Sequence, residues 1–148
     1  MQPLDFKIEK IDSIRIDDFD SLSKCVDAYL IEADDRDMSA SDVVRALSQD
    51  AKFGAWFVRI NGKVEGFLSC SLTNILNGNT VCFTNFLYVT PLGRQCGAAK
   101  KMSETGIDWV KKNKVKRIMF STRRNAKAMA RFLPGNWEID STVISLCV

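Results

Sequence analysis

Apolar residues recur at every second or third place from Phe6 to Ile11, with Lys7, Glu9 and Lys10 between them, the period of a half-buried strand. The period then lengthens. Leu22, Cys25, Val26, Tyr29 and Leu30 recur at steps of three and four, which predicts a helix starting after the acidic cluster Asp17, Asp18 and Asp20. Glu32, Asp34, Asp35 and Asp37 break that pattern as a polar, acidic loop. Ser39 or Ser41 can cap a second helix to about Gln49, with Val43, Val44 and Leu47 on its buried side.

Strand patterns follow. Phe53–Ile60 and Val64–Leu72 flank Asn61-Gly62, the strongest short hairpin signal. Asn77-Gly78-Asn79 marks a second turn, and Thr80–Val89 completes a three-strand meander. A helix from Ala98 to about Lys112 carries Ala99, Met102, Gly106, Trp109 and Val110 on one face. Val115–Ser121 reads as a strand that returns through that helix, so it is expected to pair in parallel with 80–89. A short helix over Arg124–Leu133 ends at Pro134-Gly135, and Trp137–Ile139 and Thr142–Val148 read as final strands. The expectation is one α/β domain over residues 1–148 with a mixed, mostly antiparallel sheet flanked by helices.

One stretch carries candidate chemistry. Thr84–Val89 is β-branched and aromatic, Pro91 stops the strand, and Gly93 and Gly97 bracket a short loop before the helix. The first N–H groups of a helix lack intrahelical partners, and its dipole adds partial positive charge there. Arg94, Lys100 and Lys101 add full charges, so a phosphate or pyrophosphate suits the site. The loop has neither the Gly-Lys-Ser/Thr of a P-loop nor a G-x-G-x-x-G.

Composition narrows the chemistry. The chain has no histidine, which removes His-based triads, His general bases and His metal sites. Its five cysteines are scattered with no C-x-x-C pair, which argues against structural zinc and for reduced thiols; no metal is expected. Residues 1–50 carry 13 acidic and 6 basic side chains, whereas residues 93–131 carry 12 basic and 2 acidic, so the domain is expected to have two poles. No apolar run approaches the ~20 residues of a membrane span. The start, MQPLDFKIEK, has no apolar signal core, so a cytoplasmic location is expected.

Arg94-x-x-Gly97-x-Ala99 resembles the R/Q-x-x-G-x-G/A signature of the GNAT acyltransferase superfamily, which grips the pyrophosphate of acetyl-CoA. The element order resembles that fold along nearly the whole chain, as do Leu87-x-Val89-x-Pro91, Asn125-x-x-Ala128-x-x-x-Phe132 and Gly135-Asn136-Trp137. The resemblance implies that strands 80–89 and 115–121 splay apart for pantetheine. It would pair near Phe86, Leu87, Tyr88 and Val89, with Asn125 facing it. It implies that amides of Arg94, Gln95, Cys96, Gly97, Ala98 and Ala99 hold the pyrophosphate. It also places Glu32, Asp34, Asp35 and Asp37 on the acceptor side, where they could attract a small amine, a polyamine, a lysine or a protein N-terminus.

The match has gaps. The family's proton-donating tyrosine falls at Phe132, and Thr84 and Asn85 stand where a strand carboxylate is expected to act as base. Tyr88 and Tyr29 are the substitutes the sequence offers. A positioned acid or base is worth ~10²–10⁴-fold, and a thiolate of pKa about 8.5 leaves with little help, so loss of the acid slows transfer without abolishing it. Cys96 at a helix N-terminus is a further nucleophile candidate, without a histidine to activate it. Three readings stay open. The first is an acetyl-CoA-dependent N-acyltransferase working by direct amine attack. The second is a degenerate GNAT-fold binding or assembly protein, of a compact kind that resembles small tailed-phage proteins. The third is a nucleic-acid binder using Lys111–Arg117 and Arg123–Arg131. The C-terminal strand could also pair with a second copy of the chain.

Overall fold

In the computed structural model, which describes residues 5–34, 37–74, 78–121 and 126–138, the alternating segments become strands. They are β1 (Lys7–Lys10), β2 (Gly54–Ile60), β3 (Lys63–Asn74), β4 (Thr80–Val89) and β5 (Ile118–Phe120). They form one sheet in the order β1-β2-β3-β4-β5, antiparallel except for the parallel β4–β5 pair. Asn61 and Gly62 take φ of 53° and 76°, the left-handed pair that a tight hairpin turn needs between β2 and β3.

Helices cover both faces. α1 (Phe19–Ala33) and α2 (Ala40–Asp50) lie on one, and α4 (Ala98–Lys112) lies on the other. Successive β2 side chains alternate accordingly. Phe57 joins Leu22, Val26, Val43, Leu47 and Phe67 under α1 and α2, while Trp56 and Val58 join Leu68, Met102 and Val110 under α4. Each such large side chain stabilises the fold by roughly 1.5–3 kcal/mol. Ser39, not Ser41, caps α2. It forms a capping box in which the Asp42 N–H donates to Ser39 Oγ at 3.2 Å and the Ser39 N–H donates to Asp42 Oδ2 at 3.0 Å.

The run after β4 differs from the loop expected over residues 93–97. It forms α3 (Pro91–Gln95), because the fixed φ of Pro91 suits a first helical position and Thr90 Oγ1 caps the turn by accepting from the Gly93 N–H at 3.4 Å. Cys96 and Gly97 then turn the chain into α4. α5 spans Ala126–Phe132. Of the strands expected after it, residues 136–138 have no regular structure, and the rest lies outside the described residues.

Candidate functional site

β4 is paired on both edges only through its first part. Against β3 it pairs from Thr80 to Val89, but against β5 only from Cys82↔Ile118 to Thr84↔Phe120. Beyond Thr84, no described residue pairs with that edge. The register against β3 slips at the same place. Ser69 faces Phe86 while Cys70 faces Thr84, so Asn85 is the extra residue of a bulge. The bulge turns Asn85 and Phe86 to the same side, where both line a depression beneath α1 and α2. On the other face, a small apolar cavity of about 40 Å³ borders the fork, walled by Thr84, Leu87, Gly106, Ile118 and Phe120.

The end of the open strand leads to a second feature. Gly97 has φ of 78° and precedes α4 without capping it by a side chain. The first α4 amides, at Ala98, Ala99 and Lys100, therefore have neither an intrahelical carbonyl nor a side-chain cap. A Cβ on Gly97 would meet nothing within 4 Å, so the space above the turn is clear. A helix N-terminus with open amides and clear space fits a phosphate. Lys100 and Lys101 are exposed on the same turn. Arg94 is engaged elsewhere: Nε donates to the Val89 carbonyl at 2.8 Å, Nη2 pairs with Glu32, and Cζ sits 5.5 Å from the Tyr88 ring centre.

The depression beneath α1 and α2 is open to solvent and has a volume of about 400 Å³. Tyr29 and Phe86 form aromatic wall, Met38 and Ala46 aliphatic wall, and Gln49, Asp50 and Asn85 the polar part. Asp50, only 8% exposed, accepts from Ser69 Oγ at 2.9 Å and from Asn85 Nδ2 at 2.8 Å. Asn85 Nδ2 also reaches Ser71 Oγ at 3.2 Å. α2, β3 and β4 thus converge on one carboxylate beside the fork.

The acetyltransferase (GNAT) family model matches residues 11–133, most of the chain. The chain belongs to the GNAT acetyltransferase family. Solved structures agree on the fold. The ribosomal-protein-alanine N-acetyltransferase of Brucella melitensis is 17% identical, with 97% of this chain and 99% of that one covered at a TM-score of 0.67. Glucosamine-6-phosphate N-acetyltransferase of Arabidopsis thaliana is 14% identical, with 95% and 98% covered at 0.67. A predicted acetyltransferase of Clostridium acetobutylicum, solved with acetyl-CoA, is 11% identical, with 97% and 96% covered at 0.68. No curated protein matches by sequence.

In this GNAT domain, no described residue pairs the second edge of Phe86, Leu87, Tyr88 and Val89, and Gln95, Cys96, Gly97, Ala98 and Ala99 form the turn into α4. The Arg94, Cys96 and Gly97 N–H groups are not open to a phosphate as expected, because they donate to the Thr90, Gly93 and Arg94 carbonyls. Tyr29 and Tyr88 come together with ring centres 5.7 Å apart, also packed on Phe67. Tyr88 is 4% exposed, whereas Tyr29 is half-buried on the depression wall. Glu32, Asp34 and Asp37 do not line that depression, and Asp35 and Asn125 lie outside the described residues. For Phe132 only the backbone, in α5, is described. The Cys96 thiol donates to the Leu92 carbonyl at 3.4 Å, and burial pushes the Cys25 thiol up to about 12. Sequence reading missed Asp50, because a carboxylate at the end of a helix pattern carries no local sign that a strand bulge will meet it.

Proposed function

We propose that the protein transfers an acetyl group from acetyl-CoA to a primary amine by direct attack. The observation that carries this reading is the second edge of β4, which no described residue pairs from Asn85 to Val89 and which leads through α3 to the uncapped amides beyond Gly97. An unpaired strand edge accepts an amide-bearing ligand as an added strand. The residues therefore fit both ends of the cofactor: pantetheine along 85–89 and pyrophosphate on the open amides of Ala98, Ala99 and Lys100. The thioester supplies the activated acyl group. The chain supplies orientation, which is worth ~7–11 kcal/mol when both reactants are held in attacking geometry. Strand N–H groups facing the carbonyl oxygen add about 3 kcal/mol per donor. The N-acetyltransferase names of the structural relatives support an amine acceptor. On this reading Tyr29, which lines the depression, gives the departing sulfur its proton, since Phe132 stands where the family's tyrosine is expected.

The test is calorimetric titration with acetyl-CoA. Micromolar binding that disappears in Gly97→Glu is the expected result. Absence of binding at millimolar ligand would remove the enzyme reading and leave the fold assignment standing.

A further inference from the structure

Asp50 breaks three local rules at once. It sits in the last position of α2, where the helix dipole disfavours negative charge. It is more than nine-tenths buried. Only neutral donors hold it, and no cation pairs with it among the described residues. Asp18, the other buried aspartate beside the sheet, has a bidentate arginine. Both bonds to Asp50 end on Oδ2, which leaves Oδ1 without a partner among the described residues. Oδ1 is not closed off from solvent, so it is open to a ligand that enters the depression. Sites that violate local preferences without compensation are where function concentrates.

We infer that the depression around Asp50 is the acceptor site, that Asp50 is its catalytic base, and that the acceptor is a singly charged primary amine on an apolar body. The inference rests on the acyltransferase reading and goes on to name its substrate class. Among the described residues, Asp50 is the one charged residue lining the depression, so it neutralises one ammonium. Tyr29, Phe86, Met38 and Ala46 suit an aromatic or alkyl body, and Gln49 is left to bond one polar substituent. A polyamine or an aminoglycoside would bring further cations to walls that hold no second carboxylate among the described residues. The position is also right for transfer: Asn85, which bonds Asp50, is the first residue of β4 beyond its pairing with β5.

The step balances as follows. The ammonium gives one proton to Asp50 and becomes a free amine. Its lone pair forms the C–N bond at the thioester carbonyl, and the C–S bond breaks with its electron pair on sulfur. The second nitrogen proton passes to that sulfur, and Asp50 returns its own to solvent. Amine cation and thioester thus give amide, thiol and one proton.

The experiment compares phenethylamine, spermidine and tobramycin as acceptors, and titrates phenethylamine calorimetrically into protein saturated with CoA. Wild type is expected to prefer phenethylamine at least tenfold in kcat/KM. Asp50→Asn is expected to lose ~10²–10⁴-fold in kcat and the heat of phenethylamine binding, with acetyl-CoA affinity retained. Gln49→Arg, a change at an exposed position, keeps the fold intact and brings a competing cation to the rim. It is expected to raise the KM for phenethylamine at least tenfold with kcat within threefold of wild type. Wild-type preference for spermidine or tobramycin overturns the inference, as does full activity in Asp50→Asn or an unchanged KM in Gln49→Arg. In each of those cases acetyl-CoA binding would show that the acyltransferase reading stands. Failure of wild type to bind acetyl-CoA overturns both.

Discussion

Arg94 pairs with Glu32 across 62 positions of sequence and thereby ties the end of α1 to the turn that follows β4. The same guanidinium bonds the Val89 carbonyl and lies over Tyr88. Its charge is thus spent within the protein, and the proposed phosphate site is left to backbone amides and to Lys100 and Lys101. The pair is 44% and 32% exposed, so Glu32→Gln is expected to change stability by less than about 1 kcal/mol. Arg94→Ala also loses a charged hydrogen bond and the ring contact, and is expected to cost about 2 kcal/mol in urea unfolding. CoA affinity should stay within twofold in Glu32→Gln. A tenfold tightening there would mean that Arg94 leaves Glu32 for the phosphate.

Gly97 separates binding from folding. Its φ of 78° penalises any side chain, yet an added Cβ meets nothing within 4 Å. Gly97→Ala is expected to cost about 1–2 kcal/mol of stability from the left-handed backbone alone. CoA affinity is expected to fall at least tenfold, since the methyl group enters the space a phosphate would fill. Paired thermal and calorimetric measurements on the one variant check both halves.

Arg59 anchors the start of α1 to β2. Nη1 and Nη2 donate to Asp18 at 2.7 and 2.8 Å, and Nη2 also reaches Glu9 at 3.1 Å. These bonds hold both carboxyls below the usual carboxylate range, and the two carboxylates hold the guanidinium above its own. A folded value below the unfolded one means that stability is fully present above the unfolded carboxylate values and is lost as pH falls through them toward the folded values. Unfolding free energy should therefore drop below about pH 4, where unfolded Asp and Glu begin to protonate. Arg59→Ala strands a buried Asp18 and is expected to cost about 3 kcal/mol, the low end for such losses because Arg15 remains 3.7 Å away. The variant should also lose most of the acid sensitivity in a pH series of urea melts.

Gly106 sets how closely α4 lies on the sheet. An added Cβ would stand 2.8 Å from Leu68 Cδ2. Gly106→Val is expected to cost about 1–3 kcal/mol through overpacking. It should also weaken CoA binding, because the helix that shifts carries the amides proposed to hold the phosphate. Unchanged affinity in a destabilised variant would show that the α4 N-terminus is positioned independently of this contact.

Periodicity alone placed β1, α1, α2, the meander and α4, because each buries one face and its apolar residues must repeat with the geometry of that face. Asn61-Gly62 declared its hairpin for the same local reason, a backbone that few other residues adopt. The parallel return of residues 118–120 to β4 followed from chain connectivity, and Arg94-x-x-Gly97-x-Ala99 marked the turn into α4. What only tertiary structure decided are relations between distant segments. The bulge at Asn85 depends on how β3 and β4 slide past one another. The pairing of Arg94 with Glu32 depends on where α1 ends in space. The setting of Asp50 arises only when α2, β3 and β4 pack together, since a lone aspartate has no period and its burial is a property of its neighbours. Local preference acts over a few residues and leaves a trace in the sequence, whereas the meeting of a helix end with a strand bulge is settled by the packing of the whole domain.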